Sequence, residues 1–179
     1  SLDTSVIENI KVVNAKYLHE KSGSSIELNY KIYGNGILKI KQTLYPSGAE
    51  NPELPRFGMK VSVNETFDNL EWFGRGPHES YWDRKTSAKI DRYKGKVIDQ
   101  TYKYVRPQET GNKTDIRWLA LYNGSIGLMV KGLPVFDGSV HHYDYALLDY
   151  YKGSQRHGKT DITKGDQIDL IVDYKQMGV

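Results

Sequence analysis

Polar and apolar residues alternate with a period of two along most of the chain. In "SSIELNYKIYG" the side chains of Ile26, Leu28, Tyr30 and Ile32 fall on one face, with Glu27, Asn29 and Lys31 on the other, the pattern of a half-buried strand. The "GNG" of Gly34 to Gly36 then leads into "ILKIKQTLYP", where Leu38, Ile40 and Leu44 alternate with Lys39 and Lys41, so the two segments predict a hairpin. "RFGMKVSVNE" repeats the pattern through Phe57, Met59, Val61 and Val63, and "DQIDLIVDYKQ" through Ile168, Leu170 and Val172. "IRWLALYNGSIGLMVKG" predicts a second hairpin, with Asn123 and Gly124 in a type I′ turn because Asn-Gly accepts positive φ at both central positions.

Helical patterning is slight. "HHYDYALLDYY" predicts a short helix capped near His142 or Tyr143, and "PHESYWDR" a helical turn beginning at Pro77. "YPSGAENPELPR", with three prolines, reads as a loop between strands, and "YYKGSQRHGKTD" as a mobile surface loop. No repeat or linker interrupts the pattern, so residues 1–179 are expected to form a single all-β domain, an antiparallel β-sandwich or barrel-like fold.

Composition narrows the function classes. The formal charge is +3, from 25 Lys and Arg against 22 Asp and Glu, and the basic residues are scattered, which argues against nucleic acid as a partner. There is no Cys, so disulfides and thiolate metal sites are excluded. No segment approaches the roughly 18 apolar residues of a membrane helix, and the N-terminal stretch lacks the plan of a signal peptide, so no membrane partner is expected. The 14 Tyr and 3 Trp fit a β-rich protein and also offer ring faces to sugars.

Two stretches carry candidate chemistry. "WFGRGPHESYWDR", residues 72–84, packs aromatic rings among ions, two glycines and a proline. His78 and Glu79 are candidates for acid/base or sugar-binding work. The reading preferred here is architectural: Gly74 and Gly76 permit unusual backbone angles, Pro77 starts a turn, and Asp83 with Arg84 ties it to a neighbouring strand. "RPQETGNKTDIRW" supplies Arg106, Gln108, Glu109, Asn112, Asp115 and Arg117, of which Glu109, Asn112 and Arg117 are the candidate ligands of a sugar groove. The alternative is mutual satisfaction in a long turn, with Glu109 opposite Arg75 or Arg117. His141 and His142 point to opposite faces of a strand and make a poor chelate, so no metal site is expected.

"LPRFGMKV", "WFGRGPHESYWDR" and "YVRPQETGNKTDIRWLAL", in this order and spacing, with the closing "DYKQMGV", resemble the C-terminal domain, or small chain, of glycoside hydrolase family 2 β-galactosidases. The resemblance runs from Leu54 to Val179; residues 1–53 fit by their β pattern. It implies a β-supersandwich related to galactose mutarotase, present as a fragment shortened at both ends. It implies also that the two catalytic glutamates belong to a (β/α)₈ barrel outside this chain, and that the family's active-site tryptophan follows in a "GGDDSW" block beyond Val179. The family carries Asn where this chain has Thr110. The expected role is a non-catalytic domain that completes an active-site wall and subunit contacts, with no catalytic residue and no cofactor of its own. Any Mg²⁺ or Na⁺ would sit in other domains of the parent. Its partners would be the rest of the parent chain, galactosides through that parent, and further copies in a homo-oligomer. The compartment is open between bacterial cytoplasm and periplasm for a soluble parent. Two rivals stand beside this reading. One is a free carbohydrate-binding module using Trp72, Trp82 or Tyr81 as a platform, and the other a sugar mutarotase or epimerase with a His and a carboxylate converging in an open cleft.

Overall fold

The alternating segments become the strands of antiparallel sheets in a computed structural model, which describes residues 1–48, 54–104, 108–144, 150–152, 155–157 and 164–178. The chain divides into two compact units, Ser1–Glu53 and Leu54–Val179. The first holds β1 (Leu2–Ile7), β2 (Ile10–Leu18), β3 (Ser25–Ile32) and β4 (Leu38–Tyr45) in a meander of order β1-β2-β3-β4. The β3–β4 hairpin has the expected alternation, with Tyr30 opposite Ile40 and Ile32 opposite Leu38. A type I′ geometry occurs where the sequence reading did not look for it, at Glu8 and Asn9 between β1 and β2, with φ of 47° and 66°.

The second unit holds β5 (Arg56–Asn64), β6 (Asn69–Gly76), β7 (Lys89–Lys96), a 3₁₀ turn at Val97–Gln100, β8 (Lys113–Tyr122), β9 (Gly127–His141), the short pair β10 (Tyr150–Lys152) and β11 (Gln155–His157), and β12 (Gln167–Gln176). Six of them form one sheet in the order β5-β12-β9-β8-β6-β7. Its apolar cluster gathers Leu70, Trp72, Val97, Ile116, Leu119, Leu121, Phe136, Val140, Ile168 and Leu170. β12 departs from the half-buried strand expected of it. Lying between β5 and β9, it buries Asp169 and Ile171 as well as Ile168 and Leu170. Asp169 is accommodated by a hydrogen bond from Ser62 (2.6 Å) and an ion pair with Lys60 (3.1 Å).

Three local expectations are corrected. The β8–β9 hairpin forms, but through the four residues 123–126 rather than a two-residue turn. Only Gly124 has positive φ (94°), and the Asn123 side chain accepts the N–H groups of Ser125 and Ile126. No helical turn begins at Pro77: after a cis Gly76–Pro77 bond the chain stays irregular, closing a tight turn where Tyr81 and Arg84 exchange backbone hydrogen bonds. β9 runs through to His141, and residues 145–149 of the predicted helix lie outside the described residues. The segment read as a mobile loop contains the β10–β11 pair, the rest of it lying outside the described residues.

Candidate functional site

The corner after β6 and the segment leading into β8 meet, and each supplies what the other's backbone lacks. Gly74 and Gly76 sit inside β6 without positive φ, so their value is not an unusual backbone angle. It is close approach. A Cβ on Gly76 would stand 2.7 Å from the Tyr93 ring, and one on Gly74 2.9 Å from the Cα of Ile116. Trp72 stacks obliquely on Tyr93 and donates its indole N–H to the carbonyl of Arg75 (3.0 Å). Arg75 in turn holds the far end of the corner, through the carbonyls of Lys85 (3.2 Å) and Ala88 (2.8 Å) and the carboxylate of Asp115 (2.5 Å).

Glu79 is the centre of the arrangement. Its carboxylate accepts the backbone N–H of Gly111 (2.7 Å), the hydroxyls of Thr110 (3.0 Å) and Tyr104, and the Arg84 guanidinium (2.9 Å). Burial acts to raise its pKa, but the donors from Tyr104, Gly111, Arg84 and Thr110 outweigh burial and hold it below the ordinary glutamate value. Thr110 also accepts the Tyr102 N–H (2.8 Å), so its hydroxyl bridges two segments. Ser80 zips the same junction: it exchanges backbone and side-chain hydrogen bonds with Asn112 (2.8 and 2.9 Å), and its hydroxyl meets both the hydroxyl and the N–H of Thr114.

The remaining candidates separate. His78 is exposed and bonds Ser87 (3.0 Å), away from the partners of Glu79, so the two do not converge on one atom. Glu109 pairs with Arg56, not with Arg75 or Arg117, because Arg56 projects from β5 toward it while Arg75 is taken by Asp115. Arg117 donates to the carbonyl of Asp115 (2.5 Å), whose φ of 55° marks an irregularity in the β8–β9 register that turns these side chains aside. Asp83 is exposed and makes no ion pair among the described residues; Arg84 pairs with Glu79 inside the corner and reaches the neighbouring segment through the Tyr104 hydroxyl (3.3 Å). Arg106 lies outside the described residues. His142 bonds Asp68 (2.9 Å), whereas His141 is enclosed against Tyr143, and burial pulls its pKa down to about 4. No group of three metal-binding side chains forms among the described residues.

Of the rings considered as a sugar platform, Trp72 and Tyr81 are 2% and 0% exposed. Trp82 is 42% exposed, but the ammonium groups of Lys85 and Lys175 lie 4.1 and 4.6 Å from its ring centre. Sequence reasoning missed Tyr104 and Thr110 as partners of the corner and Ser80 as the corner residue that bonds Asn112 and Thr114. All three stood inside the quoted motifs, but nothing in their spacing announces a tertiary bond.

The sequence model of the family described as "Beta galactosidase small chain" matches residues 2–179. The chain belongs to that family. A β-galactosidase of Priestia megaterium is 40% identical over 94% of this chain, and one of Vibrio cholerae 30% over 98%; in each case the match covers 16% of the relative. A β-galactosidase of Staphylococcus xylosus is 27% identical over 99% of this chain and 17% of its own length. This small-chain sequence thus spans about a sixth of the relatives it matches. Its all-β sheets are those expected of the family resemblance, and no helix among the described residues is long and apolar enough to cross a membrane.

Proposed function

We propose that the chain is the non-catalytic supersandwich portion of a retaining, family 2 β-galactosidase that hydrolyses terminal β-D-galactosyl residues. In this reading it completes the active-site wall and subunit contacts while the rest of the parent supplies both catalytic glutamates, any Mg²⁺ or Na⁺ and the galactoside contacts. The parent is a soluble protein of a bacterial cytoplasm or periplasm and associates with further copies of itself. The observation that carries this reading is the state of Glu79. A carboxylate saturated by four donors and held ionised is a bracket between segments, not a proton shuttle, and its sequence neighbour His78 bonds Ser87 instead of joining it. The lysines over Trp82 argue in the same direction, against a free sugar-binding module.

The test is hydrolysis of a chromogenic β-galactoside by the purified chain. No turnover is expected, because retaining hydrolysis needs two carboxyl groups about 5–5.5 Å apart across the scissile bond. Turnover that survives removal of contaminants and disappears in Glu79→Gln would overturn the proposal.

A further inference from the structure

Asp137 on β9 and Asp173 on β12 are register partners, so their side chains leave the same face of the sheet side by side. Cβ atoms so opposed lie about 4.5–5.5 Å apart. Both residues are enclosed, at 3% and 0% exposure. The Asp173 carboxylate lies over Gly58 of β5, where a Cβ would come 2.3 Å from Oδ1, so the glycine makes the space it occupies. One cation, Arg56 of β5, touches Asp173 (2.8 Å), and it also serves Glu109 from the loop before β8. Asp137 accepts the indole N–H of Trp82 (2.8 Å) and the backbone N–H of Asp115 on β8 (3.3 Å). Lys85 bears on Asp137 from the corner but is also paired with Asp115. Three carboxylates therefore share Arg56 and a lysine already engaged elsewhere.

We propose that Asp137 and Asp173 act as one proton-holding pair in the folded protein, a pH-sensitive element built into the two adjacent strands. Two like charges facing each other across adjacent strands repel, and a proton shared between them removes the repulsion without moving either strand. Burial lifts both groups to about 6, against 3.8 for an ordinary aspartate, with Glu109 and Asp137 adding to the rise at Asp173 and Asp115 adding to it at Asp137. The sign follows. Between the two values the folded chain holds a proton that the unfolded chain has released, so this contribution to stability is intact at low pH and is lost as pH rises through the window. His141, buried neutral at about 4, contributes the opposite slope between there and its ordinary 6.5, so the pair is isolated by difference.

The experiment uses carboxyl-¹³C-aspartate-labelled chain, titrated by NMR, with Asp137→Asn and Asp173→Asn beside the wild type. One aspartate carboxyl is expected to titrate near neutrality in the wild type. In either variant the remaining carboxyl should move its midpoint to acid by at least about one unit, a tenfold loss of proton affinity. In urea denaturation, the folded-to-unfolded ratio of the wild type relative to either variant should fall by about tenfold per pH unit across the window for one linked proton. Should a variant fail to fold, the wild-type titration still decides: all aspartates titrating below about pH 4.5, or midpoints unchanged by substitution of the partner, overturn the proposal.

Discussion

Glu79 and Arg84 differ in how much each would cost to remove, although they form one ion pair. Arg84 is 41% exposed at its side chain and Glu79 12%, and the carboxylate keeps three further donors when the guanidinium goes. Arg84→Ala should therefore cost only roughly 0.5–1 kcal/mol, the scale of a partly solvated pair. Glu79→Ala leaves the Gly111 N–H and two hydroxyls without their acceptor and should cost about 2–4 kcal/mol. Urea denaturation of both variants checks the order; an Arg84 variant weaker than the Glu79 variant would mean that the bracket is organised around the guanidinium. The Glu79 contribution is also pH-dependent. Its folded pKa is depressed, so the stabilisation is present above the unfolded value near 4.5 and is lost as pH falls through the folded one.

At the scale of elements, Gly76 and the Glu8–Asn9 turn make separable predictions. Gly76→Ala drives a methyl into the Tyr93 and Trp72 rings and should cost about 1–3 kcal/mol, read as a lower urea midpoint. Asn9→Val places a β-branched residue at φ of 66° and should cost about 1–2 kcal/mol, whereas Asn9→Gly should be close to neutral. These two sites show how legibility divides. Period-two alternation located β3, β4, β5 and β12, because alternating apolar residues mark a strand whether one of its faces or both are later covered. The turns were misjudged because Asn123-Gly124 advertises a type I′ geometry that its four-residue connection does not adopt, while Glu8 advertises none. The burial of Asp169 and Asp173 was illegible for a related reason: polar residues alternating with Ile168, Leu170 and Val172 look solvated until strands pair on both sides. The corner of residues 72–84 was readable as a meeting of rings and ions, but its partners were not, since Gly111, Thr110 and Tyr104 reach Glu79 only through tertiary folding.

For the whole molecule, the decisive feature is the face of the four-stranded sheet that carries Leu2, Val6, Tyr17, Ile32 and Leu38. The register places them together with Ile26, Leu28, Tyr30 and Ile40, yet these five are 72%, 72%, 58%, 43% and 51% exposed. Apolar area of this kind gains roughly 25 cal/mol for each Å² it buries, and exposed sheet edges offer backbone groups to another chain. In β-galactosidases, where the matched stretch is 16% of the relatives from Priestia megaterium and Vibrio cholerae, we propose that this face is covered by other parts of the protein. The purified small-chain sequence should then self-associate as its concentration rises, which light scattering measures directly. Val6→Lys with Ile32→Lys should shift the population toward monomer, since each charge would have to be desolvated in the associated state. A wild-type chain that stays monomeric and melts cooperatively at all concentrations would instead mean that the first unit needs no cover, and that its apolar face has no partner in the parent.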